Sequence, residues 1–485
     1  MTIRRSLGFS GATQAINFLL SFGSVVIVSR LLTPEDIGVF SVSVALLGFA
    51  HILREFGVTQ YLIQAQEVSR ERIRAAFSVT LFSSWALATL LFATRNSIAS
   101  FYEQDGVTDV IGLIALNFVI LPFGSPVMAL LRREMQFGKL AIISTANTAI
   151  QTIVTVMTAL NGFGYMSMAW GSIAGMISNV IIVSLIRRGD IMILPTLKGT
   201  KEIVSFGYKS VATSLIGEVG SSAPDLILGR TLGFAAVAYY SRANSLIQMA
   251  LSQLLRIVQS VFLPAFAMNL RKGENPGSMY ILATVHVTGI TAPLIAFLAL
   301  MAEPLILFVF GKQWEQSAHL STLFCLYALF QTPFSLASDA LIGSGRIDVV
   351  LRAQTILLPI RVVVLCTSIW LPLDEVVSLL LVPTIASIAI YAKALSDVFG
   401  LSFRKLCKDL SPSYLLIPMT LAAPAIARLA DVYMGTGLSE LTILLAGGAL
   451  FAASWIMSIR LTRHPLQNEI SRAIFTYTKR KGSNG

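Results

Sequence analysis

EIVSFGYKSVATSLIGEVGSSAPDLILGRTLGFAAVAYYSRANSLIQMALSQLLRIVQSVFLPAF, residues Glu202 to Phe266, is two long apolar runs that nevertheless carry charge. In the first run Glu218 and Asp225 stand seven residues apart, so a 3.6-residue period sets both on one helix face with Ser214 and Ser221. The second run places Arg242, Ser245, Ser252, Gln253, Arg256 and Ser260 within an arc of roughly 100°. Runs of this length and apolarity are membrane spans. A charge at the bilayer centre costs about 2.5–3.5 kcal/mol on insertion scales, so such groups face a polar cavity rather than lipid. An acidic stripe followed by a basic one predicts a membrane protein with a wet interior.

The composition agrees. Of the 485 residues 55% are hydrophobic and 13% charged, against about 25% charged in soluble domains, and the mean hydropathy is +0.75. The net charge of +11 is read as membrane topology rather than as nucleic-acid binding. Cys325, Cys366 and Cys407 show neither metal spacing nor a disulfide framework. Met1–Arg5 followed by an apolar run resembles a signal peptide, but the run continues to Val28 and is too long for one. It is expected to be an uncleaved first span.

Spanning runs recur about fourteen times. They lie near 7–29, 37–60, 75–94, 107–131, 140–160, 164–186, 203–228, 235–266, 279–301, 318–342, 350–371, 376–396, 413–430 and 440–460. The expected fold is an all-α polytopic membrane protein. Most Lys and Arg, including Arg70, Arg72, Arg74, Arg132, Arg133, Lys139, Arg187, Arg188, Lys198, Lys201, Arg404, Lys405 and Lys408, fall in alternate connections and the tails. Acidic Glu35, Asp36, Glu103, Asp105, Asp374 and Glu375 fall in the others. The positive-inside rule then makes both termini cytoplasmic.

At an offset of 200 residues Ser10, Ala12, Thr13, Ile16, Ser21, Ile27, Arg30, Leu32 and Ser41 recur as Ser210, Ala212, Thr213, Ile216, Ser221, Ile227, Arg230, Leu232 and Ser241. Six spans separate the copies, which implies two parallel lobes with a substrate site between them. The expected organisation is a six-helix lobe over 1–200, a second over 201–400, two further helices over 401–462 and an amphipathic basic tail over 463–485. In that tail Leu466, Ile470, Ile474 and Tyr477 form an apolar stripe beside Arg472, Lys479 and Arg480, suited to anionic lipid.

Other polar groups extend the picture. Ser10, Thr13, Gln14, Asn17, Ser21 and Ser24 follow helical spacing in the first span and either line a cavity or bond to neighbouring helices. His51, Arg54 and Glu55 cluster in the second span, where Arg54 either lines a cavity or snorkels to headgroups. Arg256 has the same two readings. Arg361 is mid-span, with Asp339 as its expected partner in a functional or a purely structural ion pair. Candidate substrate-binding groups are thus Arg242, Arg256, Arg54, Arg361, Gln14, Asn17 and Gln253, and candidate coupling-ion ligands are Glu218, Asp225 and Asp339. No phosphate-binding Gly-rich loop, metal-ligand cluster or nucleophile elbow is present in the sequence, so no cofactor and no enzyme is expected.

Ser29-Arg-Leu-Leu-Thr-Pro-Glu-Asp-Ile-Gly-Val-Phe40, Arg54-Glu-Phe-Gly57, Leu131-Arg-Arg-Glu-Met-Gln-Phe137 and Asp225-Leu-Ile-Leu-Gly-Arg-Thr-Leu-Gly233 with Tyr240 carry a resemblance over nearly the whole chain. They resemble the polysaccharide transporter family, the oligosaccharide flippases of the multidrug/oligosaccharidyl-lipid/polysaccharide superfamily. The resemblance implies export of an undecaprenyl-pyrophosphate-linked oligosaccharide across a bacterial inner membrane by alternating access through a cationic cavity. It also implies polysaccharide polymerase and co-polymerase proteins as partners. Two rival readings are a cation-coupled multidrug antiporter of the same superfamily and a membrane glycan polymerase or ligase. The first usually has twelve spans and an acidic opening helix, which here is uncharged; the second needs a long outer loop, which is missing.

Overall fold

The computed structural model describes residues 3–55, 57–64, 69–187, 195–434 and 438–468. The side chains of residues 3–12, Lys209 and Ser260, and the basic tail from 469 on, lie outside the described residues. Nineteen α-helices succeed one another with no strand among the described residues. In order they are α1 (Ile3–Leu31), α2 (Pro34–Glu55), α3 (Val58–Gln64), α4 (Arg70–Tyr102), α5 (Gly106–Ile120), α6 (Ser125–Arg133), α7 (Phe137–Leu160), α8 (Met166–Ile186) and α9 (Thr200–Thr231). Then come α10 (Phe234–Arg271), α11 (Pro276–Leu300), α12 (Ala302–Phe310), α13 (Glu315–Gln331), α14 (Ala337–Gly343) and α15 (Ile347–Cys366). The last four are α16 (Leu373–Leu379), α17 (Leu381–Phe399), α18 (Phe403–Met434) and α19 (Glu440–Leu461).

Among the described residues thirteen helical stretches are long and apolar enough to cross a membrane, against about fourteen expected. The seventh expected run forms α9, a 32-residue helix of spanning length that is not among the thirteen and carries Lys209, Glu218 and Asp225 in its interior. Leu90, Phe92, Ile153, Leu160, Val363 and Leu445 are each more than half exposed. Such apolar flanks suit hydrocarbon, where a helix satisfies its own backbone.

Two expected runs are broken where proline removes a helix donor. The run near 107–131 becomes α5, a 3-10 turn over Leu121–Phe123 containing Pro122, and α6. The run near 318–342 becomes α13, a 3-10 turn over Thr332–Phe334 containing Pro333, and α14.

Contacts sort the chain into two compact units, 1–238 and 239–485. In the first, α7 and α8 pair closely because α8 presents Gly171 and Gly175 to it. A Cβ on Gly171 would lie 1.8 Å from Thr155 Oγ1, and one on Gly175 2.4 Å from Asn147 Oδ1. This is the small-residue packing that lets helices meet in lipid, where apolar burial offers no drive. The same unit buries Val58, Leu62, Ala75, Ala76, Ala129 and Ile203, joining α3, α4, α6 and α9. The Leu131–Phe137 turn locks it further: Arg133 donates to the carbonyls of Leu62 (2.9 Å) and Ile63 (3.2 Å), and Arg187 pairs with Glu134.

In the second unit Phe262, Phe266, Tyr280, Leu341, Leu395 and Leu410 belong to the main core. The chain leaving α19 turns back into this unit. His464, 1% exposed, lies against Gly289 of α11, where a Cβ would come within 2.6 Å of its ring. Its Nδ1 accepts the backbone N–H of Leu466 at 3.2 Å, which fixes the proton on Nε2, 2.9 Å from Ser413 Oγ. Ser413 Oγ in turn donates to Val285 O at 3.1 Å. Burial, with a smaller push from His286, lowers the His464 imidazole to about 4. Leu466 is buried with Leu416 and Ile459, so the first residue of the expected lipid-facing stripe is a core residue.

Candidate transport site

Helices α2 and α9 both belong to the first unit and approach closely through glycine. A Cβ on Gly229 would lie 2.6 Å from Val42, and one on Gly48 would lie 2.0 Å from Glu218 Oε1. Between them is a cavity of about 290 Å³ lined by Phe40, Ser41, Val44, Ala45, Gly48 and His51 of α2 and by Glu218, Ser222 and Asp225 of α9. The period that put Glu218 and Asp225 on one face is therefore realised, and the face they share meets His51. Ser222 Oγ, rather than Ser221, donates to Glu218 Oε1 at 2.6 Å. Ser221 bonds back to its own helix at Gly217 O and Glu218 O.

His51 is held by its ring, 4.7 Å from that of Phe118 on α5. One turn along α2, Arg54 is 8% exposed, and neither its Nε nor its Nη1 has a hydrogen-bond partner among the described residues. Of its two sequence readings, snorkelling does not fit: the guanidinium is inside the protein. Asn17 donates to Ser144 Oγ on α7 at 3.2 Å, the helix-bonding alternative for the first-span stripe, while Gln14 is exposed.

The second unit carries the other three candidate arginines, Arg242, Arg256 and Arg361. Arg242 sits in the third turn of α10 with its guanidinium 5.9 Å from the Phe310 ring and 5.7 Å from the Trp314 ring. Its Nε is buried without a hydrogen-bond partner among the described residues. A guanidinium over two aromatic faces keeps its charge and its planar edge. Arg256, further along α10, is exposed and bonds through Nε to Ser252 O of its own helix at 3.2 Å; Gln253 beside it is half-buried. Arg361 meets the Tyr240 hydroxyl at 3.4 Å, and Asp339 is bonded to Gln259. The expected Arg361–Asp339 pairing is thus replaced by two separate polar contacts.

Sequence reasoning missed His51 as the third member of the α2–α9 cavity and the aromatic pair around Arg242. Phe310 and Trp314 bracket the turn Gly311-Lys-Gln313, an interfacial aromatic signal present in the sequence. Nothing local in the sequence pairs α2 with α9.

Residues 27–319 match the family described as Polysaccharide biosynthesis protein. The chain belongs to that family. Among proteins of this kind it is 23% identical to the lipopolysaccharide biosynthesis protein WzxC of Escherichia coli (strain K12), over 98% of this chain and 96% of that one. It is 24% identical to the succinoglycan biosynthesis transport protein ExoT of Rhizobium meliloti (strain 1021), over 71% of this chain and 70% of that one. The fold is similar to that of the lipid II flippase MurJ in an inward closed conformation, with TM-score 0.73 at 13% identity, covering 93% of this chain and 98% of that one. The family match spans the α2–α9 cavity, Arg242, Phe310 and Trp314 alike.

Proposed function

We propose that this chain is a flippase that carries an undecaprenyl-pyrophosphate-linked oligosaccharide repeat unit across the bacterial inner membrane, by alternating access, for exopolysaccharide, capsule or lipopolysaccharide synthesis. The observation that carries this reading is the family match together with a many-span fold like that of the lipid II flippase MurJ. The placement of Arg242 supports it. A pyrophosphate crossing bare lipid would meet a prohibitive desolvation cost, and arginine forks match phosphate geometry. In this reading Arg242, held over the Phe310 and Trp314 rings, contacts the pyrophosphate or acidic sugars. With the cytoplasm negative, moving roughly two negative charges outward gains about 4–5 kcal/mol at 100 mV. Both termini lie in the cytoplasm, as the distribution of Lys and Arg indicates, and the two six-helix repeats move against each other. Polymerase and co-polymerase proteins receive the exported unit.

Deleting the chain from its host tests the reading. Lipid-linked repeat units should accumulate in the cytoplasmic leaflet while their synthesis continues, read by accessibility to a membrane-impermeant glycosidase in spheroplasts. Repeat units that still reach the outer leaflet at the normal rate would refute it, and a reporter fused after Lys481 that is active outside the cytoplasm would reverse the orientation.

A further inference from the structure

The first unit carries a basic corner that the transport reading does not use. It lies where the starts of α4 and α9 meet α3, over a buried cluster that includes Val58, Leu62, Ala75 and Ile203. The chain enters α9 along the side of α4. The Thr196 N–H donates to Ser78 Oγ at 2.6 Å, and Ser78 Oγ donates to Arg74 O at 2.9 Å. A Cβ on Gly199, whose φ is +81°, would lie 3.7 Å from the Ala75 methyl. Lys198 and Lys201 are thereby set at the same end of α4 as Arg70 and Arg74, which stand one helical turn apart. All four side chains are exposed.

Other cations at this end have structural partners: Arg133 donates to the α3 carbonyls and Arg187 pairs with Glu134. The described acids at the corner are Glu71, next to Arg70, and Glu202, which accepts the Tyr61 hydroxyl at 3.2 Å and ties α3 to α9. Aliphatic groups interleave with the cations. Leu197, beside Lys198, is 75% exposed, and Val204, one turn after Lys201, is 45% exposed. A solvated anion gains nothing from Leu197 and Val204. A molecule with a phosphate and acyl chains meets both kinds of group.

We infer that this corner binds an anionic phospholipid, its phosphate among Arg70, Arg74, Lys198 and Lys201 and its acyl chains against Leu197 and Val204. Two of the cations come from α4 and two from the chain entering α9. A bound headgroup therefore bridges the helices where the Thr196–Ser78 bond already joins them, and it stabilises their packing. The site stands whether or not the chain moves a glycan.

The test uses the full chain in uncharged detergent with dioleoyl-phosphatidylglycerol and dioleoyl-phosphatidylcholine as probes, read by native mass spectrometry and thermal unfolding. Phosphatidylglycerol should bind and raise the unfolding midpoint; phosphatidylcholine, which has the same chains and no net charge, should do neither. Equal binding of both would overturn the proposal. Combining Arg70→Gln, Arg74→Gln, Lys198→Gln and Lys201→Gln should weaken phosphatidylglycerol binding about a hundredfold, since each cation near an anionic surface contributes about fivefold. Combining Arg404→Gln, Lys405→Gln and Lys408→Gln, three exposed cations of the second unit, should leave it within about twofold. Undiminished binding in the first variant, or the same loss in both, would overturn the site. Inorganic phosphate should not displace the lipid; displacement would make the ligand a soluble anion and sink the proposal. Removing cations can disturb membrane insertion, so a photoreactive phosphatidylglycerol is also applied to the unaltered chain. Its cross-links should fall on the peptides holding Arg70–Arg74 and Leu197–Val204, and cross-links confined to other segments would overturn the assignment.

Discussion

Helix α1 stops at Leu31 and α2 begins at Pro34; 200 residues later α9 stops at Thr231 and α10 begins at Phe234. The turn is the same, but the helices that leave it differ. In the first unit α2 ends at Glu55 and the chain passes through Gly57, at φ +64°, into the separate α3. In the second, α10 runs 38 residues to Arg271, with Pro264 inside it. Further along, each half breaks again at a Pro-Phe pair, Pro122-Phe123 and Pro333-Phe334. The helix ends fall at the same 200-residue offset at which the sequence recurs, and the side chains around them differ. Glycines let acidic groups into the first unit at Gly48, whereas aromatics hold a basic group in the second at Phe310 and Trp314.

The sharpest way to break this comparison is to fill a glycine contact. Gly171→Val puts a side chain within 1.8 Å of Thr155 Oγ1 and 2.8 Å of Gln151 O. Overpacking of this kind costs about 1–3 kcal/mol and more where backbone is met, so the first unit should lose its fold, read as lost thermal unfolding in detergent. Gly217→Ala, with nothing within 4 Å of the added atom, should melt at or slightly above the parent temperature.

Next in size is the aromatic-held cation. Arg242→Ala should reduce glycan export about ten- to a hundredfold at normal protein level, since a charge-assisted hydrogen bond is worth about 1.5–3 kcal/mol. Lysine should restore part of it, keeping the charge without the fork. Wild-type export in Arg242→Ala would make the second unit's box purely structural.

Smaller still is the effect of the buried imidazole. Unfolded, His464 takes a proton near 6.5; folded, it stays neutral down to about 4. Between those values the unfolded chain binds more protons, so stability rises with pH and is lost as pH falls from about 6.5 through about 4. His464→Ala should flatten that part of the pH–stability curve and cost about 1–3 kcal/mol at neutral pH, measured by thermal unfolding. The smallest effect belongs to Arg256→Ala. Its exposed side chain bonds only its own helix among the contacts described, and export within about twofold of normal is expected, as an exposed charge is worth about 0–1 kcal/mol.

How much of this was legible depended on the range of the signal. The spans come from the length of the apolar runs and the shared face of Glu218 and Asp225 from helical period, and the structure has both carboxylates lining one cavity. The Pro122 and Pro333 breaks were written in the chain, but their flanks stay apolar, so hydropathy reads straight through them. Depth in the membrane pairs Arg361 with Asp339 but says nothing of rotation about the helix axis; Tyr240 and Gln259 lie on the faces each actually presents. His51 joins the acidic face through the packing of α2 on α9, helices separated by six others in sequence order. The 200-residue repeat groups α9 with α10 and the later helices, yet its contacts run to α2, α3 and α4. That difference is one of tertiary packing, which no local pattern encodes.

Gly289 has a practical consequence at the other end of the chain. Its bare backbone is covered by the ring of His464 and by Leu466, whose side chain would lie 2.8 Å from an added Cβ, while its carbonyl accepts the Trp455 indole N–H at 3.1 Å. A shortened version ending at Leu461 would strip the plug from that notch, leave the Ser413 hydroxyl with Val285 O but without His464, and expose an apolar hollow to detergent. Affinity tags and fluorescent fusions are therefore best joined beyond Asn468, where the plug stays seated.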